Sequence, residues 1–218
     1  MSLPSTEIIR ERIEQVQKED IQMCLRACYL FAGRITEVIG KVTLGDKTSK
    51  QRIARGGKKE DARLDSLLDH NAFLFNVYTA KREGKRRIIA LPDQEKWAQK
   101  LYDYYRSADD FVFPFTRQKV WQYSVKAFEG LQYPIETYTI WKNGEITKKV
   151  NAHEKPFRLH ALRHLRITEL IEFYGFNGFE VATYCGWTLK TSLGIGGQFD
   201  RYAHLDWQSY FPKLLKAR

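Results

Sequence analysis

The sequence predicts an α+β chain, mostly helical, with small antiparallel β-hairpins. Three observations predict it. Apolar residues recur at three- and four-residue steps over residues 5–32 and 159–174, the period of a helix with one buried stripe. Residues 72–79 and 86–91 are short β-rich runs separated by Lys81-Arg82-Glu83-Gly84-Lys85, and Pro92 closes the second run. Ile140-Trp141 and Glu145-Ile146 flank Lys142-Asn143-Gly144, and Asn-Gly is a strong hairpin signal.

Taken in order, Ser5 or Thr6 caps a first helix over 5–32, with Ile8, Ile9, Ile13, Val16, Ile21, Leu25 and Cys28 as its stripe. A short helix follows over 34–40. Residues 47–59 hold six basic side chains, no acidic ones and Gly56-Gly57, so a basic loop is expected within 45–70. The hairpin of 72–92 comes next, then helical spacing over 94–106 and 116–129. The second hairpin spans 136–150, and helices run over 159–174 and 178–185. Gly194-Ile195-Gly196-Gly197 breaks the chain before a last amphipathic segment, 202–215. Its Leu205, Trp207, Tyr210, Phe211, Leu214 and Leu215 pack either on their own domain or on a neighbouring copy. No repeat or boundary divides residues 1–218, which read as one domain.

Composition narrows the class of function. The 218 residues are 43% hydrophobic and 14% aromatic, enough core-forming surface to exclude a wholly disordered chain. No apolar run approaches the roughly 18 residues of a membrane span, and the N-terminus lacks a secretory layout. The expected location is cytoplasmic. Cys24, Cys28 and Cys185 show no zinc-type spacing, and neither His70 nor His153 completes a ligand set. No Walker or dinucleotide glycine motif is present, so no cofactor is expected. Thirty-six Lys and Arg against 26 Asp and Glu leave +10, which favours a polyanionic partner over a merely solvated basic surface.

The segment Arg158-Leu159-His160-Ala161-Leu162-Arg163-His164 concentrates chemistry. On a helix His160 and Arg163 share a face. An imidazole exchanges a proton near neutrality while a guanidinium grips two phosphate oxygens in a fork, a pairing suited to an anionic substrate. A basic solvated helix face is the competing reading.

Here the chain resembles the tyrosine recombinases, the phage-integrase family. Their helix motif is matched by His160-x-Leu162-Arg163-His164 with Thr168-x-Leu170, and their following step by Cys185-Gly186-Trp187. Upstream, Gly33-Arg34-Ile35-Thr36-Glu37 resembles the first arginine motif; downstream, Tyr202-Ala203-His204 resembles the nucleophile motif. The ordered set spans residues 32–204. The resemblance implies a tyrosine-recombinase catalytic fold and site-specific recombination, integration or excision, by cleavage and rejoining of DNA through a 3′-phosphotyrosine. Arg34 and Arg163 would brace the non-bridging oxygens of the scissile phosphate, with Glu37 holding Arg34. Trp187 stands where the family has histidine; its indole N–H is a donor, and packing is the alternative role.

Tyr202 is the candidate nucleophile and Tyr210 the runner-up, while Tyr184 lies too close to the Gly-Trp step. Trp187 to Tyr202 is longer than the family spacing, and the glycine-rich stretch accounts for the excess. The proton for the leaving 5′ oxygen comes in this family from a lysine on a hairpin turn. Lys81 is preferred, with Lys85 the alternative. The resemblance further implies duplex DNA as partner, a tetrameric synapse of copies, no metal and no ATP. The usual N-terminal DNA-clamping domain has no room before Arg34, so a catalytic domain alone is expected, loosely of the archaeal virus or plasmid kind. Competing readings are a type IB topoisomerase, a non-cutting DNA-binding regulator and an RNA-binding module.

Overall fold

A buried helix organises the chain. In the computed structural model, which describes residues 4–39, 56–79, 86–109, 111–139, 149–187 and 206–216, helix α2 (Glu19–Leu30) is buried from Met23 to its end. It packs against α1 (Thr6–Glu14), α3 (Ile35–Val38), α4 (Ala98–Arg106), α5 (Arg117–Ala127) and α6 (Leu159–Glu172). The single helix expected over 5–32 is therefore two. Ser5 caps α1 by accepting from the Ile8 N–H. The break follows Gln15, where Gln22 Nε2 donates to the Glu14 and Val16 carbonyls and so satisfies the end of α1. Mixed three- and four-residue steps conceal such a break, because each half is amphipathic by itself.

Strands β1 (Ala62–Leu67), β2 (His70–Tyr78) and β3 (Arg86–Pro92) form an antiparallel sheet in that order, with Phe75 opposite both Ala62 and Ile89. This corrects the basic loop expected over 45–70. Lys59–Asp61 is a 3₁₀ turn and residues 62–67 are a strand, while 40–55 lie outside the described residues. Strand β1 escaped pattern reading because four of its six residues are exposed. Its turn is Leu68-Asp69, both at positive φ (53° and 61°), the geometry usually signalled by Asn-Gly.

The second hairpin pairs β4 (Gln132–Thr139) with β5 (Lys149–Pro156), from Gln132 opposite Pro156 to Thr139 opposite Lys149. It starts and ends further out than 136–150, and its Lys142-Asn143-Gly144 turn lies outside the described residues. Helix α7 (Gly178–Cys185) begins at the expected residue because Asn177 caps it, accepting from the Phe179 and Glu180 N–H groups. Helix α8 (Trp207–Leu214) starts later than the expected segment. It buries Trp207, Tyr210, Phe211 and Leu214 against β3 and α7 of its own chain rather than offering them to a neighbour.

The chain is thus an α+β fold of eight helices and two small antiparallel sheets among the described residues. None of these helices is long and apolar enough to cross a membrane. The inward face of α6 carries charge. Fully buried Arg166 donates to Glu169 (2.6 Å) and Glu95 (2.8 Å); Arg10 reaches Glu95 (3.0 Å), while Tyr29 and Tyr174 donate to Glu169 and Glu95. This network fastens α6 to α1, α2 and the 93–97 segment. Its phenols are pushed up by burial, that of Tyr174 to about 12.

Candidate functional site

The site is built where α2 ends. The last carbonyls of a helix have no partner within it and carry the negative end of its dipole. Here the Ala32 N–H donates to Tyr29 O and the Gly33 N–H to Cys28 O, a Schellman closure with Ala32 at φ 43° in the position glycine usually takes. The next three carbonyls receive side chains. Tyr184 donates its hydroxyl to Leu30 O, Arg87 donates Nη2 to Phe31 O (3.2 Å), and Arg163 donates Nη1 to Ala32 O (2.5 Å).

The chain then turns at Gly33, where a Cβ would press on Val38 Cγ2 at 3.1 Å, and enters the one-turn helix α3. Glu37 on α3 is fully buried and accepts from the Arg34 backbone N–H (3.0 Å). Three guanidinium groups surround its carboxylate: Arg34 Nη1 at 3.1 Å, Arg87 Nη2 at 3.1 Å and Arg163 Nη1 at 3.6 Å. Three cations thus stand on one carboxylate, an excess of positive charge. Burial pushes the Arg163 guanidinium below its usual value, opposed by Cys185 and Glu37. Its Nη2 is buried with no partner among the described residues, a donor that a bound oxyanion would satisfy.

His160 stands one turn before Arg163 on α6, exposed at the rim. Its ring meets that of His164 edge-on, centroids 4.8 Å apart, and His164 in turn stacks on Tyr133. Partial burial, then His164, Arg163 and Arg34, hold His160 below the ordinary histidine value; burial and Arg163 do the same for His164. Both rings are therefore neutral at neutral pH, as acceptor or donor according to tautomer. Arg34 and His160 open onto a cleft of about 290 Å³ shared with Thr36, Arg117, Trp121 and Arg158.

Helix α7 ends against the same cluster. Gly186 has φ 66°, and a Cβ there would stand 2.8 Å from Thr79 Oγ1 and 3.0 Å from Arg87 Cδ. Trp187, its N–H bonded to Ala182 O, lays its ring 5.5 Å from the Arg163 guanidinium carbon. The cation–π contact makes Trp187 a wall of the arginine's pocket.

Of the residues singled out in the sequence, Arg34 and Arg163 meet on Glu37, Trp187 lies against Arg163, and His160 shares the cleft with Arg34. Lys81, Lys85 and Tyr202 lie outside the described residues. Tyr210, the runner-up nucleophile, is fully buried: its hydroxyl accepts from Ala90 N–H and donates to Ile88 O, and burial pushes it well above the ordinary phenol range, which argues against that role. Tyr184 is likewise buried on Leu30 O. Sequence reasoning missed Arg87 as a member of the cluster. Its signal was a charge at the inward-facing position of β3, in step with Ile89 and Leu91. Among the described residues no group of three or more His, Cys, Asp or Glu is arranged to hold a metal ion. No family model, curated protein or solved structure matches the chain.

Proposed function

We propose that this chain is a DNA strand transferase of the tyrosine-recombinase kind, with that family's catalytic fold. The observation that carries the reading is the arginine cluster: Arg34, Arg87 and Arg163 on one buried carboxylate, with an unpartnered Arg163 donor and a half-open cleft at its edge. Attack on a phosphodiester gathers negative charge on the non-bridging oxygens, and fixed donors in a partly dry site stabilise it without reorganising. Arg34 and Arg163 brace those oxygens. Glu37 and Arg87 hold the two arginines in place. His160, neutral at the rim, donates its ring N–H to the same phosphate or accepts from the attacking hydroxyl, according to tautomer, and the Trp187 indole N–H adds a donor.

In this mechanism the Tyr202 hydroxyl passes its proton to neutral His160 as its oxygen bonds to phosphorus and the bond to the 5′ oxygen breaks. The 5′-hydroxyl leaves with a proton from Lys81, or from Lys85, and a 3′-phosphotyrosine remains. A 5′-hydroxyl of a partner strand then returns a proton to the lysine as it attacks, and the released Tyr202 oxygen recovers its proton from His160. The electron pairs and protons balance with no nucleotide cofactor, and the substrate is duplex DNA bridged by several copies of the chain. One observation favours a second reading, a monomeric type IB topoisomerase that reseals the same strand: α8 packs on its own domain instead of presenting an apolar face to a neighbour.

The test is incubation with labelled duplexes carrying a nick near the cleavage point, followed by denaturation. A DNA–protein adduct abolished by Tyr202→Phe supports strand transfer, and one that survives moves the nucleophile elsewhere. Joining to a second strand selects the recombinase, resealing alone the topoisomerase. Duplex binding with no adduct on any such substrate leaves a non-cutting DNA-binding regulator.

A further inference from the structure

The cleft beside the arginine cluster carries more than one phosphate needs. Three guanidinium groups, Arg34, Arg117 and Arg158, line it, and of these only Arg34 reaches the Glu37 carboxylate, which it shares with Arg87 and Arg163 behind the cleft. Arg117 and Arg158 have no carboxylate partner among the described residues; Arg158 donates only to the Phe157 carbonyl. One phosphodiester contributes one negative charge, and Arg34 with Arg163 behind it accounts for that charge. Arg117 and Arg158 are cations left over for a second anion.

The same cleft has an aromatic wall. Trp121 is one turn after Arg117 on α5, so both project from the same face. Trp121 is 49% exposed, although most large apolar residues of the chain's described part are buried. Arg158 and His160, at the start of α6, close the other side. At about 290 Å³ the cleft sits at the small end of ligand pockets, a volume for one nucleotide rather than a stretch of duplex. A paired base has both faces covered by its neighbours and cannot lie on an indole; only a base turned out of the stack can.

We propose that the cleft is a nucleotide slot: the nucleotide beside the cleaved phosphate leaves the duplex, stacks its base on Trp121 and sets its outer phosphate between Arg117 and Arg158. The slot rests on the strand-transferase reading for the position of the first phosphate. It makes Trp121 a specificity-determining residue that favours cleavage where a base unstacks readily, without reading base edges.

The experiment uses 2-aminopurine as a single unpaired nucleotide beside a nick in a duplex, titrated with the full chain, with the fully paired duplex as reference. Stacking on indole quenches the probe. The unpaired substrate should bind about tenfold tighter than the paired one, from the stacking of one base, and be quenched. Trp121→Ala should abolish both preference and quenching while paired-duplex binding persists, and Trp121→Phe should retain part of each. Arg117→Ala should reduce the slope of log affinity against log salt by about one. Equal affinity for both substrates, or a preference that survives Trp121→Ala, overturns the slot. Competition by thymidine monophosphate at concentrations matching the strand also overturns it, because the cleft then takes free nucleotides. Quenching without any covalent adduct keeps the slot and sinks strand transfer; an adduct without Trp121-dependent preference does the reverse.

Discussion

Arg163 donates to the carbonyl of Ala32, 131 residues earlier, at 2.5 Å. The acceptor is main chain at the negative end of α2, so the guanidinium is oriented by a helix terminus as well as by Glu37. An arginine held on one edge by fixed acceptors presents its remaining N–H groups in a fixed direction, which is the requirement for bracing an oxyanion.

Glu37 is the counter-charge on which three arginines depend. Replacing it by alanine leaves buried guanidinium groups uncompensated and should cost about 3–5 kcal/mol of stability, read as a lowered urea midpoint. Sulfate or phosphate should recover part of the loss by occupying the same cations. A variant as stable as the parent would remove Glu37 from the centre of the site.

Gly186 allows α7 to end against Arg87. Gly186→Ala meets Thr79 and Arg87 and takes a left-handed backbone, at a cost of about 1–2 kcal/mol for the backbone alone. Adduct formation should fall further than stability does, because Arg87 and Trp187 move together. Unchanged adduct formation in a folded G186A chain would show that this packing does not set the arginine.

Tyr210→Phe tests the exclusion of that tyrosine. Two main-chain groups, the buried Ala90 N–H and the part-buried Ile88 O, lose their partner, and the chain should lose about 1–3 kcal/mol. The covalent adduct should still form under conditions where the variant is folded. Its specific disappearance there would restore Tyr210 as the nucleophile.

His160 and His164 predict an acid-side loss of stability. Both folded-state values lie below the ordinary 6.5. In the window between that value and the lowered ones, the unfolded chain binds protons that the folded chain refuses. Stability is therefore complete above about pH 6.5 and falls as pH drops through this window. Urea midpoints across the range should show the decline, and the double variant His160→Asn, His164→Asn should flatten it. A slope that persists in the double variant would place its origin in other groups.

What the sequence disclosed follows what side chains can signal. Helix α7 is legible to the residue because Asn177 and Gly186 punctuate it, and α6 because its stripe is unbroken. The Arg34–Glu37 pair is legible from its three-residue spacing. Strand β1 is not, since its outward residues carry no alternation and its turn lacks glycine. The acceptors at Phe31 and Ala32 are main-chain atoms and leave no residue-type signature. Arg117 and Trp121 join His160 only because α5 and α6 both pack on α2, which no local pattern encodes. Arg166 reads from sequence as one more basic residue of a solvated helix; its burial with Glu95 and Glu169 depends on contacts 71 and 3 residues away.

The hydroxyl of Tyr210 occupies both a donor and an acceptor on the outer side of β3, the last strand of its sheet. An open strand margin is a template on which another chain can crystallise as a further strand, the first step of sheet-to-sheet aggregation. A single phenol, delivered by α8, shuts that template. Proteolytic trimming ahead of Trp207 would therefore uncover an adhesive margin, and the trimmed protein would be lost to self-association before any defect in chemistry could be seen.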